Sequence, residues 1–115
     1  MKFSAVLLIV PEDDENRAVD IVKRAGATGI TILKGKGLRH NDRKTFLGLG
    51  LERKESLLLC VVEKQLAMRI LRTVKSELKM DLPGGGLAFS LPLDSVVGIG
   101  LAQIQAFQRE VADDL

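Results

Sequence analysis

The sequence is poor in aromatic side chains, and this shortage excludes several kinds of protein. It contains four Phe, no Trp and no Tyr among its 115 residues. Single-stranded nucleic acids are usually bound by aromatic rings on which the bases stack, so we predict no nucleic-acid partner. A net charge of +2 is also too small to indicate a polyanionic partner. With 46% hydrophobic residues the chain can still build a core, which we expect to be aliphatic.

Cysteine and histidine are equally scarce, with one of each, Cys60 and His40. A single cysteine cannot form a disulfide within the chain, which fits a reducing compartment. A zinc site or a Cys–His nucleophile pair is not expected from so few of these groups. Cys60 lies within an apolar segment and is expected to be a small core residue. We therefore predict no metal site.

No hydrophobic run in the sequence is long enough to cross a membrane. The run at residues 3–10 has eight residues, whereas a membrane-spanning helix needs about 20. It also lacks the small-residue cleavage site of a signal peptide, and an acidic segment follows it directly. We therefore predict a cytoplasmic protein that does not insert into a membrane.

The most informative feature that is present is one pattern that occurs twice. Residues 3–36 and residues 57–93 each read as strand, helix, strand. The stretch between them, residues 37–54, is too polar and glycine-rich to belong to either unit. Two such units in a short chain predict an α+β fold, a ferredoxin-like βαββαβ sandwich with an antiparallel sheet. The connecting stretch would then project from the sheet, where function often lies.

The first unit has clear boundaries in the sequence. Its first strand, residues 3–10, is apolar at every position except Ser4 and is expected at the centre of the sheet or buried on both faces. Asp13 or Asp14 can cap the helix that follows, and Gly26 fits the residue that ends it. The second strand is predicted over residues 28–34.

The second unit is followed by a segment that the sandwich does not need. The third strand is predicted over residues 57–62, and the helix over residues 63–78 begins without a good capping residue. Pro92 cannot donate to a strand ladder, so the last strand is expected to lie at a sheet edge or to end there. We divide the chain into a domain of residues 1–100 and a C-terminal helical extension of residues 101–115.

Two glycine-rich segments are candidates for ligand binding. In residues 34–40, glycines allow close approach of the backbone and the basic side chains suit phosphate or carboxylate. In residues 83–86, three successive glycines can expose backbone N–H groups to an anion. Each segment is also explained by a loop that binds nothing and whose glycines only turn the chain. The sequence contains neither a P-loop nor a dinucleotide fingerprint.

Both glycine segments resemble motifs of one family. Residues 26–37, GATGITILKGKG, resemble the second-strand motif of the P-II nitrogen-regulatory signalling proteins. Residues 85–99, GGLAFSLPLDSVVGI, resemble the last-strand motif of the same family. The order and spacing of the two motifs also agree, so the resemblance covers about residues 2–99. The chain is therefore similar to a divergent P-II or P-II-like signalling protein.

The resemblance implies a regulator, with no catalytic residues and no enzyme activity, that assembles as a homotrimer with its sheets facing inward. An effector, ADP, AMP or ATP, would bind in the clefts between subunits, and no cofactor would be required. Residues 39–51 would project as a loop that touches a protein partner such as a transporter or a metabolic enzyme. The ligand contacts implied by position are Thr31, Gly37, Leu38, Arg39, Gly84, Gly85 and Gly86. The loop residues implied for partner contact are His40, Arg43, Lys44 and Phe46.

The chain departs from the family at the positions that bind phosphate. The family's lysine after the second glycine segment is Leu87 here, and its two terminal arginines fall on Gly98 and Gly100. Charge-assisted hydrogen bonds contribute about 1.5–3 kcal/mol each, so their loss should weaken ATP binding most. We therefore expect ADP, AMP or another small anion as the ligand. The substitute cations that the chain offers are Arg39, His40, Arg43 and Lys44.

Two other functions are compatible with the same fold. One is a structural or metal-tolerance trimer that resembles CutA-type proteins. The scarcity of His and Cys argues against a soft-metal site, which leaves a purely structural role in which the C-terminal helix would serve assembly. An acylphosphatase-type enzyme needs an anion cradle with arginine after the first strand. In this chain that position is held by residues 11–15, a proline followed by four acidic residues, which would repel phosphate.

Overall fold

A four-stranded antiparallel sheet is the framework of this protein in the computed structural model. The structure describes residues 1–38, 45–46, 49–50 and 53–113. In chain order the elements are β1 (Phe3–Pro11), a 3-10 turn (Glu12–Asp14), α1 (Glu15–Arg24), β2 (Thr31–Gly37), β3 (Thr45–Phe46), β4 (Leu49–Gly50), β5 (Arg53–Glu63), α2 (Lys64–Glu77), β6 (Leu87–Leu93) and α3 (Leu101–Asp113). The main sheet has the order β2-β5-β1-β6, and β3 pairs with β4 separately. The predicted α+β, ferredoxin-like fold class is confirmed.

Strand β1 lies at the centre of the sheet, as its continuous apolar run predicts. It pairs antiparallel with β5 on one side and with β6 on the other. Val6, for example, lies opposite both Cys60 and Ser90. Strand β6 has β1 as its partner and forms the edge, so Pro92 lies where a missing N–H is tolerated.

One face of the sheet packs against α1 and α2 and encloses the core. Alternate residues of β1 and β5 point to this face and are buried, as expected for a half-covered sheet. The core contributed by the sheet consists of Val6, Leu8, Val10, Leu58, Cys60 and Val62. The helices contribute Ala18, Ile21, Val22, Leu66, Ala67, Ile70 and Val74. Apart from Phe107, the buried core of the described residues is therefore aliphatic, as the composition predicts.

The ends of the two sandwich helices are held by different caps. Beyond α1, Gly26 has a φ of +116°, and its N–H donates to the carbonyl of Lys23 at 3.0 Å. The N–H of Ala27 donates to Val22 at 3.2 Å, which completes a Schellman motif and confirms the stop predicted at Gly26. The start of α2 was predicted to lack a cap, and this was wrong.

The N-terminus of α2 is capped by Glu63, the last residue of β5. Its carboxylate accepts hydrogen bonds from the N–H groups of Gln65 at 2.7 Å and Leu66 at 3.3 Å. Glutamate is not a preferred residue at this position, so sequence preference gives no signal for it. At α1, Asp14 holds the N-cap position, but its side chain makes no capping hydrogen bond.

Two strand boundaries differ from the predictions for a common reason. Strand β2 was predicted over residues 28–34, and the structure places it at Thr31–Gly37. The predicted strand ends before Gly35, yet Gly35 and Gly37 pair with Glu55 and Arg53 of β5. The hydrogen bonds of a strand ladder are made by backbone groups, so the exposed edge strand β2 continues through its glycine residues. Its partner β5 is extended in the same way, because its first residues, which precede the predicted range 57–62, pair with the end of β2.

Helix α3 is joined to the rest of the protein by one buried ring and several polar contacts. Phe107 is fully buried and meets the ring of Phe3 edge-on, with 6.2 Å between the ring centroids. Arg69 of α2 donates to the Glu110 carboxylate at 3.0 Å and to the Glu110 backbone carbonyl at 2.8 Å. The division into residues 1–100 and an extension stays a prediction. Within the described ranges, no helix has the length and apolarity needed to cross a membrane.

Candidate functional site

The two glycine segments meet at one end of the sheet within a single chain. Gly37, the last residue of β2, lies opposite Arg53, the first residue of β5. Two positions along β5, Glu55 lies opposite Pro11 at the end of β1. The loop that leads into β6 returns to the same end, because Leu87 pairs with Ile9. We call the resulting cluster the glycine site; it comprises Gly37, Arg53, Glu55, Gly84, Gly85 and Gly86.

Arg53 connects the two glycine segments. Its Nη2 donates to Oε1 of Glu55 and its Nη1 donates to the carbonyl oxygen of Gly84, both at 3.3 Å. The Arg53 side chain is 23% exposed and the Glu55 side chain 8% exposed. The Nε atom of Arg53 is buried and has no hydrogen-bond partner among the described residues. A partly buried cation with an unused donor therefore lies between the segments.

Gly37 provides the space that the Glu55 side chain occupies. A Cβ atom built on Gly37 would lie 2.4 Å from Cδ of Glu55 and 2.6 Å from each carboxylate oxygen. Contacts this short do not occur in real proteins, so any side chain at position 37 would displace the carboxylate. The carboxylate of Glu55 thus covers the backbone at the position where the family resemblance implies a nucleotide contact.

The loop that carries the other three glycines is held closely against its surroundings. Gly84 and Gly86 have φ angles of +79° and +104°. A Cβ atom on Gly85 would lie 2.4 Å from the carbonyl oxygen of Lys79, and one on Gly86 would lie 2.6 Å from that of Ile9. The path of the backbone therefore requires glycine at positions 84, 85 and 86.

One of the backbone donors expected for an anion is already used. The N–H of Gly85 donates to the carbonyl of Leu82 at 3.0 Å, and the N–H of Leu82 donates to that of Lys79 at 3.1 Å. The prediction that residues 83–86 offer several N–H groups to a ligand thus does not hold for Gly85. The loop contributes shape and the carbonyl that positions Arg53.

The remaining predicted ligand residues are not all brought together by one chain. Leu38 follows Gly37 and is 73% exposed. Thr31 begins β2, so the strand rise of about 3.3 Å per residue places it roughly 20 Å from Gly37. Phe46 lies in β3, where its backbone pairs with Leu49. Four predicted residues lie outside the described residues: Arg39, His40, Arg43 and Lys44.

Lys34, the first cation of the basic segment, forms an ion pair on the face of the sheet opposite Arg53. Its Nζ forms an ion pair with Oε1 of Glu15 at the start of α1. The buried hydroxyl of Ser56 donates to the same oxygen at 2.7 Å. Hydrogen bonds from Lys34 and Ser56 hold the pKa of Glu15 below its ordinary value, and the bond to Glu15 raises the pKa of Lys34. Lys34 is therefore not part of the glycine site.

Arg53 and Glu55 are not among the site residues predicted from the sequence. Both precede the predicted third strand: Arg53 lies in the connecting stretch of residues 37–54, and Glu55 lies between that stretch and the strand. The signal that could have found them is the alternation Arg53, Glu55, Leu57 on one side of a strand, with Lys54 and Ser56 on the other. Extending β5 by this period places Arg53 opposite Gly37.

Metal or thiol chemistry gains no support from the described residues. They contain no group of three or more His, Cys, Asp or Glu side chains that could hold a metal ion. Cys60 is buried in the core, and burial raises the pKa of its thiol to about 11. A thiol with so high a pKa stays protonated at neutral pH and is a poor nucleophile.

The face of the sheet opposite the helices is apolar and incompletely covered. The register assigns to it Leu7, Ile9, Thr31, Leu33, Leu57, Leu59, Val61, Leu87, Phe89, Leu91 and Leu93. Leu33, Leu87 and Leu91 are 52%, 53% and 50% exposed. A contiguous apolar surface of this kind is typical of a protein–protein interface. We call it the open face.

Comparison with known sequences assigns the family. The profile described as Nitrogen regulatory protein P-II matches residues 3–102, which is most of the chain. The chain therefore belongs to the P-II family, and the resemblance recognised in its glycine motifs is confirmed. Among curated proteins, none matches the sequence significantly.

Solved structures share the fold at low sequence identity. A PII-like signalling protein from Thermus thermophilus is 24% identical, with a TM-score of 0.60, covering 81% of this chain and 87% of its own. CPII from Thiomonas intermedia, solved with ADP, AMP and bicarbonate, is 16% identical, with a TM-score of 0.65 and coverage of 86% and 98%. The cation tolerance protein CutA from Archaeoglobus fulgidus is 10% identical, with a TM-score of 0.65 and coverage of 95% and 98%. At these identities the likeness establishes the fold.

Proposed function

We propose that this protein is a P-II-like signal-transduction regulator without enzyme activity. It binds a small effector, an adenine nucleotide, at the glycine site in the clefts between the subunits of a homotrimer. Binding changes how residues 39–51 engage a protein partner such as a transporter or a metabolic enzyme. We expect the protein to act in the cytoplasm.

The observation that supports this proposal most strongly is the link between the two glycine segments. Arg53 lies within hydrogen-bond distance of Glu55, which covers Gly37, and of the Gly84 carbonyl. Glycine backbone admits a ligand closely, and a guanidinium is well suited to phosphate because of its planar fork of donors. A cation and two glycine segments at one end of a sheet are suitable components for a nucleotide-phosphate site.

The choice of adenine nucleotides rests on the family and on the structures that share its fold. Among these, CPII was solved with ADP and AMP, and Bacillus subtilis GlnK was solved with ATP. In this chain Leu87, which is 53% exposed, replaces the family's lysine beside the glycine site. We therefore propose ADP or AMP in preference to ATP, and no required cofactor.

The proposed trimer would cover the open face and complete the site. Leu33 of β2 and Leu91 of β6, on the two opposite edge strands of the sheet, each expose about half of their surface in the isolated chain, so the apolar exposure extends across the whole face. Thr31 lies too far along β2 to join Gly37 in the same chain. In a trimer, a neighbouring subunit would supply the side of the cleft that includes Thr31.

A thermal-shift panel tests the proposed ligand class. The protein is heated alone and with ATP, ADP, AMP, cyclic AMP, 2-oxoglutarate or bicarbonate, each with and without Mg²⁺. A ligand that prefers the folded state raises the melting temperature, so we expect ADP or AMP to produce the largest shift. No shift with any adenine nucleotide at millimolar concentration would contradict the proposal.

A structural trimer of the CutA kind is the second candidate, and one observation favours it. The CutA structures cover 95–96% of this chain, compared with 81–86% for the PII-like proteins in the comparison. A structural trimer would show the oligomer without a nucleotide response, so the thermal-shift panel separates the two functions.

A further inference from the structure

We propose that Glu55 is a built-in competitor for the anion site formed by Arg53, and that it limits the glycine site to ligands with few phosphates. An incoming phosphate would replace the Glu55 carboxylate on the Arg53 guanidinium, one anion for another. This inference rests on the proposed function, because it assumes that the effector is anionic and binds at the glycine site.

The position of Glu55 is the first support for this exchange. Its side chain is more than nine-tenths buried and pairs with the guanidinium that links the two glycine segments. The carboxylate oxygens fill the space left by the missing side chain of Gly37. A phosphate approaching Gly37 and Arg53 would therefore meet a carboxylate already in place, and the two anions cannot share the site without strong repulsion.

The geometry of Arg53 is the second support. Its bonds to Glu55 and Gly84 are both 3.3 Å long, whereas charge-assisted hydrogen bonds are typically about 2.7–2.9 Å long. Its Nε atom has no partner among the described residues. A phosphate that presents two oxygens to the guanidinium would form shorter bonds than Glu55 does, so exchange offers a gain in hydrogen bonding.

The distribution of the neighbouring cations explains the limit on phosphate number. The register places Lys34, Lys36 and Lys54 on the face of the sheet opposite Arg53, and Lys34 is bound to Glu15 there. At the position of the family's lysine the chain has Leu87. Among the described residues of the strands, a second or third phosphate at the glycine site would therefore find no further cation to bind. The displaced carboxylate of Glu55 would stay nearby and repel it.

Direct titration of variants tests the exchange. AMP, ADP, ATP and pyrophosphate are titrated by calorimetry into the wild type, Glu55→Gln, Arg53→Gln and the control Lys54→Gln. Lys54 neighbours both residues in sequence but lies on the other face. Glu55→Gln should lower the Kd about tenfold or more for ATP and by a smaller factor for AMP. Arg53→Gln should raise the Kd of each ligand about tenfold. Lys54→Gln should change affinity no more than about twofold.

Each outcome separates the inference from the proposed function. If the wild type binds nucleotides and Glu55→Gln binds no more tightly, the competitor role is overturned while the proposed function stands. If no nucleotide binds but Glu55→Gln gains pyrophosphate binding, the competitor role is supported and the adenine ligand is wrong. If no variant binds any anion, both are overturned. Should Glu55→Gln fail to fold, Glu55→Met, which is similar in shape and uncharged, carries the same expectations.

Discussion

At the scale of single residues, one polar cluster ties a helix to the sheet. Glu15, the first residue of α1, accepts hydrogen bonds from Lys34 of β2 and from the buried hydroxyl of Ser56 on β5. The three residues come from three separate elements and meet at one carboxylate oxygen. Because both donors favour the ionised carboxyl group, the pKa of Glu15 is lower in the folded chain than in the unfolded chain.

The first prediction is that Glu15 makes stability depend on pH in acid. A carboxyl group with a lowered folded-state pKa stabilises the fold above its ordinary pKa of 4.5, and this contribution is lost as pH falls through the folded-state value. Glu15→Gln should therefore lose stability relative to the wild type at pH 6, and the difference should shrink towards pH 3. Urea unfolding across this range measures it.

A neighbouring acidic residue provides the control for that measurement. Asp13→Asn changes an exposed carboxylate on the adjacent turn and should leave the acid dependence close to that of the wild type. A constant difference between Glu15→Gln and the wild type from pH 6 to pH 3 would show that the cluster does not shift the titration of Glu15.

The second prediction concerns Gly86, whose backbone no other residue adopts easily. Its φ is +104°, and a Cβ atom would lie 2.6 Å from the carbonyl oxygen of Ile9. We expect Gly86→Ala to lower the free energy of unfolding by about 1–3 kcal/mol, measured in urea. Gly29→Ala is the matched control, because Gly29 has open space around it and no positive φ, so its effect should be small. Equal effects of the two substitutions would contradict this explanation.

At the scale of elements, α3 contributes a side chain to the core of the sandwich. Phe107 is fully buried and contacts Phe3 of β1, and Arg69 of α2 donates a hydrogen bond to the carboxylate of Glu110 on α3. The sequence predicted a helix here from apolar spacing, but spacing alone does not show what a helix packs against. The surface that receives Phe107 is built by residues distant in the chain.

The third prediction is that α3 stabilises the whole fold through this ring. Phe107→Ala should lower the free energy of unfolding by about 3–5 kcal/mol, the usual cost of removing a buried Phe side chain. Leu101→Ala, on the same helix but 71% exposed, should change it by less than about 0.5 kcal/mol. If the two variants unfold at the same urea concentration, α3 is an extension that the sandwich does not need.

Elements with strong periodicity could be predicted from the sequence, and contacts between them could not. The central place of β1 followed from its apolar run, and the end of α1 followed from Gly26. The cap by Glu63 was missed because glutamate is an uncommon capping residue. Arg53 and Glu55 were missed because their roles depend on strand register, which a local pattern does not specify.

At the scale of the whole molecule, the open face requires a partner in the proposed assembly. One side of the sheet is covered by α1 and α2, and the other presents leucines from all four strands. Burial of such a surface between subunits would supply the main driving force for a trimer, because apolar area removed from water stabilises association.

The fourth prediction is that a charge on the open face dissociates the assembly. Leu91→Glu should convert the proposed trimer to smaller species in light scattering, because a carboxylate would be buried in an apolar interface without a partner. Met68→Glu is the matched control: Met68 has nearly the same exposure, 48% compared with 50%, but lies on α2. A trimer that survives Leu91→Glu and dissociates with Met68→Glu would place the interface on the helical side.

Native mass spectrometry with adenine nucleotides tests the central claim most directly, because it reports assembly and ligand in one spectrum. The proposed function predicts a trimer that takes up as many as three molecules of ADP or AMP, one for each cleft. In Arg53→Gln the protein should remain trimeric and take up fewer nucleotides at the same ligand concentration. A trimer that binds no adenine nucleotide, or a chain that stays monomeric, would contradict the claim that this member of the P-II family senses nucleotides between its subunits.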